Sequence, residues 1–228
     1  MAAAPVCINL GVTRLYLLPC NGGYLLVDTS YARTWPKFMA GLRAHGISLD
    51  QIRWVFLTHT HEDHTGFLAR LLAASGAHLI AHANAVQPLR EGVAAHVPVQ
   101  VSVRSMLPVW WLLLLLRRDG GYAPYALTAQ DVVIAGDDAQ VLPALGLSGQ
   151  VLYTPGHTHE AISLLLPDGS AFVGDAASNL LHWAGLAYRP IVQQDEAVVR
   201  ASWRKLLAAG ARQIYPAHGA PFSADRLR

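Results

Sequence analysis

The stretch Thr58-His59-Thr60-His61-Glu62-Asp63-His64 places four ligand-type side chains, His59, His61, Asp63 and His64, within six residues. It follows the apolar run Trp54-Val55-Phe56-Leu57 without a break, so a buried strand delivers it. In an extended segment the i, i+2 spacing turns His59 and His61 to one side, where both can face a single ion. Asp63 and His64 lie where the chain bends toward a helical pattern over 67–74, and can face a second ion. Imidazole nitrogen and carboxylate oxygen are good partners for zinc and similar divalent cations. A lone histidine would be read as a solvated or satisfied residue. Several imidazoles buried with a carboxylate are costly without a cation, and the cluster therefore points to metal.

Three further segments repeat the arrangement of strand, tight turn and ligand-type residue. Thr154-Pro155-Gly156-His157-Thr158 follows the strand candidate 150–153, and its Pro-Gly pair fixes a turn that can aim His157. Gly174-Asp175 follows Ala171-Phe172-Val173, and a carboxylate there can bridge two ions through its two oxygens. Pro216-Ala217-His218-Gly219 follows Gln213-Ile214-Tyr215. Each is weak alone, and their ordered occurrence after the first motif gives them weight. The remaining histidines carry less: His78 and His82 read as core or surface residues of a strand, His45 and His96 carry no signal, and His159 and His182 lie near enough in sequence to reach a substrate. Asp28, ending the strand Tyr24-Leu25-Leu26-Val27, reads equally as a turn residue or as a group positioning a ligand histidine.

The rest of the chain supplies an α/β frame. Strand candidates cover 14–18, 24–27, 54–57, 78–82, 132–134, 150–153, 162–166, 171–173 and 213–215. Helical spacing covers 35–45 and 195–209. Pro19-Cys20-Asn21-Gly22-Gly23 and Pro167-Asp168-Gly169 read as turns. Strands alternate with helices in the first half, as in a layered α/β domain. Residues 85–128 contain Pro88, Pro98, Pro108 and Pro124 and read as an inserted helical cap within one domain spanning 1–228. Of the 228 residues 53% are hydrophobic and 14% charged, which excludes a disordered chain and favours strands buried on both faces. A formal charge of +2 without a basic stripe gives no nucleic-acid signature. Cys7 and Cys20 read as reduced thiols, the N-terminus has no signal-peptide pattern, and the expected location is the cytoplasm. The strongest apolar run, 106–116, falls short of the roughly 20 residues that span a bilayer, so no transmembrane segment is expected.

The set of motifs, from Val27-Asp28-Thr29 through the histidine-rich stretch, Thr154-Pro155-Gly156-His157-Thr158, Val173-Gly174-Asp175 and Pro216-Ala217-His218-Gly219, resembles the metallo-β-lactamase superfamily in order and over essentially the whole chain. The resemblance implies a four-layer αββα sandwich with a helical insertion and the site at one edge of its two sheets. It also implies two divalent ions, zinc first, with manganese or iron as the other candidates. One would be held by His59, His61 and His157, the other by Asp63, His64 and His218, with Asp175 bridging. Two close cations lower the pKa of a shared water and polarise the bond attacked. Asp63, beside binding metal, can orient the resulting hydroxide or take a proton.

Asp175 argues against a true β-lactamase and for the thioesterase, lactonase, phosphodiesterase and dioxygenase branches. Ser178 stands where acyl-homoserine lactonases usually carry tyrosine. Glu160 stands where many members have glycine, and sequence alone leaves it on the pocket rim or in solvent. The expected activity is hydrolysis of an ester-like, thioester or lactone bond in a small-molecule substrate, acyl or hydrophobic. The run 106–116, with Trp110 and Trp111, is a pocket hood, a homodimer contact, a membrane-surface segment or plain core. Two other functional classes stay open: a mononuclear iron sulfur dioxygenase using His59, His157 and Asp175, and a non-catalytic metal-binding module.

Overall fold

A computed structural model describes residues 5–94, 121–180 and 186–228. Among these, eleven strands form two sheets. The first sheet runs in sequence order: β1 (Val6–Asn9), β2 (Arg14–Cys20), β3 (Gly23–Val27), β4 (Ile52–Phe56), β5 (His78–His82) and β6 (Val132–Ile134). Its first three strands are antiparallel neighbours, and β3 to β6 pair in parallel. The second sheet has the order β11 (Phe222–Ser223), β10 (Gln213–Pro216), β9 (Ser170–Gly174), β8 (Ile162–Leu165), β7 (Gln150–Tyr153). There only β9 and β10 are parallel.

Alternation along the strands builds three apolar layers, because successive side chains point to opposite faces. Tyr16, Leu18, Leu25, Val27, Phe56 and Ile80 face inward and meet Val151, Ile162, Leu164 and Phe172 of the other sheet. Their neighbours Leu15, Leu17, Leu26, Val55 and Leu79 face outward. They pack under α1 (Trp35–Ala44), through Phe38 and Leu42, and α3 (Leu68–Ser75), through Leu68 and Leu71. On the other side Leu152, Leu165, Val173 and Ile214 pack under a long helix (Glu196–Ala208) through Val199, Trp203 and Leu206. The sequence of layers is helix, sheet, sheet, helix. Strands covered on both faces account for the high apolar content.

The expected turn at 19–23 is narrower than its composition suggests. Pro19 and Cys20 belong to β2, Cys20 pairs with Gly23, and the turn is Asn21-Gly22, with Gly22 at φ 75°. Gly22 supplies the positive φ at the second position of this turn, where glycine costs least. Several short elements escaped periodicity, among them β1, β11, a single helical turn, α2 (Glu62–Thr65), and another at Val141–Ala144. The expected cap at 85–128 contributes α4 (Val86–Glu91) and Tyr122, which packs on the first core. Residues 95–120, including the run 106–116, lie outside the described residues, as does His182. No described helix is long and apolar enough to cross a membrane.

The sheets are joined at the centre by an aromatic cluster. Tyr16 meets Phe172 edge-on at 5.3 Å and Tyr215 at 5.5 Å, while Phe172 and Tyr215 stack at 4.7 Å. The Tyr16 hydroxyl donates to the Pro216 carbonyl at 3.0 Å, which fixes the end of β10 two residues before His218. Phe172 is fully buried between the sheets. Phe172→Ala is expected to lower unfolding stability by about 3–5 kcal/mol, read from urea denaturation midpoints. A loss below about 1 kcal/mol would mean that the cluster does not hold the sheets together.

Candidate metal centre

Four strand ends converge on one edge of the sandwich. β4 runs into His59 and His61, β7 into His157, β9 into Asp175 and β10 into His218. Asp63 and His64 come from α2, which starts directly after His61. The approach is close enough to demand glycine at two turns. A side chain at Gly174, where φ is 52°, would stand 2.2 Å from the Thr58 hydroxyl. One at Gly156, at φ 125°, would stand 2.4 Å from the backbone nitrogen of Val199.

All seven residues expected as ligands are brought together, in two facing sets. In the first, His59 Nε2, His61 Nδ1 and His157 Nε2 form a triangle with edges of 3.0, 3.1 and 3.2 Å. Tetrahedral coordination with bonds of about 2.0 Å has ligand–ligand edges of about 3.3 Å, so a small ion fits over this triangle. In the second, His218 Nε2 lies 3.0 Å and His64 Nε2 4.0 Å from Asp63 Oδ2. Asp175 stands between them. Its Oδ1 is 3.3 Å from His218 and 3.6 Å from His64, while its Oδ2 is 3.7 Å from His157. Asp175 Oδ1 and His64 Nε2 are buried without a hydrogen-bond partner, and both point into the second set. Two orphaned donor atoms aimed at one point are what a cation would satisfy.

The ligand rings are fixed from behind. His157 Nδ1 donates to the Val192 carbonyl, and His218 Nδ1 donates to the Val12 carbonyl at 2.9 Å. Each bond leaves Nε2 to face the centre. Asp28 organises the rest. It is 1% exposed and accepts from the Thr58 backbone at 2.7 Å, the Thr58 hydroxyl at 2.8 Å and His64 Nδ1 at 2.9 Å. The Thr58 oxygen lies 3.1 Å from His59 Nδ1, so the same carboxylate steadies a histidine of each set. Asp28 is therefore a positioning group; its φ of 61° is a conformation that Asp tolerates better than most residues.

The two sets differ electrostatically. Burial, reinforced by neighbouring imidazoles, holds His59 well below the usual histidine range and takes His61 to about 3. Burial also lowers His157. The first set is thus three neutral imidazoles with lone pairs available. In the second set burial opposes the charged forms, and Asp28, Asp63 and Asp175 overcome it to lift His64 to about 9. His218 is also raised well above the usual histidine range, against burial, by Asp175 and Asp63. Both carboxylates are held low, against burial, chiefly by His64 and His218 for Asp63 and by His218 and His64 for Asp175. A divalent cation entering this set replaces imidazolium protons as the counter-charge.

Several groups around the centre gave no clear signal in sequence. The Val12 and Val192 carbonyls are backbone atoms and leave none. Tyr31, buried after β3, has its hydroxyl pushed up by burial and by the nearby Asp63 and Glu62 carboxylates, which sets it in the field of the second set. Glu160 is neither on a rim nor in solvent. It is 2% exposed and bonded to Thr60, and only its place in the His157 motif marked it. His159 is exposed, and its backbone carbonyl is what it contributes, accepting from Tyr153 and Asn84. His82 is a core residue stacked on Tyr153 at 4.5 Å.

Known proteins share both the sequence and the architecture. A lactamase-like protein of Penicillium aethiopicum is 26% identical over 223 residues, covering 96% of this chain and 55% of the relative. An atrochrysone carboxyl ACP thioesterase of Aspergillus fumigatus is 26% identical, covering 93% and 52%. The chain thus spans about half the length of these fungal relatives. A hydroxyacylglutathione hydrolase of Anaeromyxobacter dehalogenans is 28% identical, covering 81% of this chain and 78% of the relative. Among solved structures, a metallo-β-lactamase family protein of Thermus thermophilus superposes with a TM-score of 0.69 at 22% identity, over 99% of this chain and 76% of that one. The family model of the metallo-β-lactamase superfamily matches residues 11–218, and the chain belongs to that superfamily.

Proposed function

We propose that this chain is a dinuclear metallo-hydrolase that cleaves an acyl thioester or a related ester or lactone bond. The observation that carries this is the pair of facing donor sets, His59/His61/His157 and Asp63/His64/His218, with Asp175 directing one oxygen to each. Two divalent ions held there, zinc first, would supply Lewis-acid polarisation of the acyl carbonyl and lower the pKa of a water. Thioesters head the substrate classes because an ACP thioesterase and a hydroxyacylglutathione hydrolase are among the similar proteins.

The residues divide the work. The neutral imidazoles of the first set bind without first losing protons. Asp175, at the junction of the two sets, would offer one oxygen to each. Asp63, the more exposed carboxylate at 18% against 12% for Asp175, would bind in the second set and could orient the attacking water. Asp28 and the Val12 and Val192 carbonyls hold the rings at their angles while the substrate's charge develops. The completeness of the second set favours two ions over the single iron of a sulfur dioxygenase.

Elemental analysis of protein purified without added metal is expected to give about two zinc or manganese ions per chain, together with turnover of acyl thioesters. One iron per chain with oxygen uptake on a persulfide would replace the proposal by the dioxygenase. Tight metal without turnover across thioester, ester, lactone and phosphodiester substrates would leave a binding module. His61→Ala is expected to keep the fold by circular dichroism and to lose more than about 100-fold in kcat/KM; full activity would refute the site. Asp28→Asn keeps a residue suited to the left-handed backbone and removes the charge. It is expected to weaken metal retention against a chelator by about 10–100-fold, and unchanged retention would remove Asp28 from the centre.

A further inference from the structure

Glu160 is a buried carboxylate that the hydrolytic scheme leaves without a task. It lies three residues beyond His157, is 2% exposed, and among the described residues no lysine or arginine pairs with it. Burying an unpaired carboxylate is expensive, and such a group persists where its hydrogen bonds have a use. Its Oε1 accepts from the Thr60 hydroxyl at 2.7 Å and from the Thr60 backbone nitrogen at 3.2 Å. Thr60 is the residue between His59 and His61. A neighbouring backbone bond, Ile162 N to Thr58 O at 3.0 Å, ties the same two loops one step further back. Tyr122 is buried near Thr60 and Glu160.

We propose that Glu160 is a positioning residue for the first donor set: by gripping Thr60 it fixes the His59-x-His61 segment relative to the His157 loop and so sets the shape of the three-nitrogen triangle. This rests on the two-ion reading above. His59 and His61 come from the first sheet and His157 from the second, so the triangle's 3.0 and 3.1 Å edges to His157 depend on the registry of two loops. The clamp crosses that boundary, from the His157 loop to the residue between His59 and His61. It needs an acceptor oxygen at this position, which glutamine also supplies.

The test is metal affinity at each site, by competition with a chromophoric chelator, and the visible spectrum of the cobalt(II)-substituted protein. Glu160→Ala is expected to weaken one of two binding equivalents by about 10–100-fold and to alter the cobalt bands, while Glu160→Gln stays within about threefold of the unsubstituted chain. Thr60→Val, which removes the hydroxyl and keeps the backbone bond, is expected to fall between them and keeps the question answerable if Glu160→Ala does not fold. Two equivalents of unchanged affinity and an unchanged cobalt spectrum in the alanine and valine variants would overturn the clamp alone. Equal weakening in the glutamine variant would overturn it in favour of the charge. Failure of the unsubstituted chain to bind two equivalents would overturn the two-ion reading itself.

Discussion

Three imidazole nitrogens within 3.2 Å of one another, next to two carboxylates, is an arrangement a protein interior resists. Lone pairs aimed at a common point repel, and each polar group has left water to reach it. A cation at that point would make the convergence favourable, and the fold must hold the groups there meanwhile. Much of the structure serves this constraint. Asp28 bends against the usual backbone preference to reach Thr58 and His64 together. The Pro216 carbonyl is caught by Tyr16 just ahead of His218, and the Gly156 carbonyl accepts from Gln194 and Asp195 just ahead of His157. Asp195 in turn caps the long helix of the second sheet, so the ligand loops are anchored to the most regular parts of the molecule.

The two donor sets solve the same problem differently. The first relies on desolvation, which keeps its imidazoles neutral. The second sets charges of opposite sign against each other, Asp63 and Asp175 raising the pKa values of His64 and His218. An ion reaching the first set displaces nothing. One reaching the second competes with protons, so the sets need not fill with equal ease or at the same pH. This asymmetry arises from burial and from Asp28, which sits behind the second set and contributes a further negative charge to it.

The sandwich was largely legible in the sequence because its strands are covered on both faces and so read as apolar runs. Val55 and Phe56, or Leu164 and Leu165, point to opposite layers yet are equally buried. The four residues of β1, the two of β11 and the single turn α2 were not legible, being too short for any period to show. Asn21-Gly22 was hidden inside a longer cluster of turn-forming residues, and register alone separated them. The seven ligand candidates stood out because they follow strands and share one chemistry. Their division into sets came from family resemblance and not from spacing, since the geometry also groups His59 with His64 and Asp175. Glu160 was seen but could not be placed. Its partner Thr60 is 100 residues away, and a pairing at that distance leaves no trace in local pattern.

The donors are also divided between the halves of the chain. His59, His61, Asp63 and His64 belong to the first sheet, and His157, Asp175 and His218 to the second, so each set draws on both. Neither sheet can assemble a centre alone. An ion here would act as a keystone across the seam, and its binding energy would also be energy of adhesion between the two halves. At a free concentration 100 times its dissociation constant, one such ion adds about 2.7 kcal/mol to the joined state. That is a substantial share of what a domain has in reserve. Scarcity of metal would therefore cost the fold part of its stability as well as the site its chemistry.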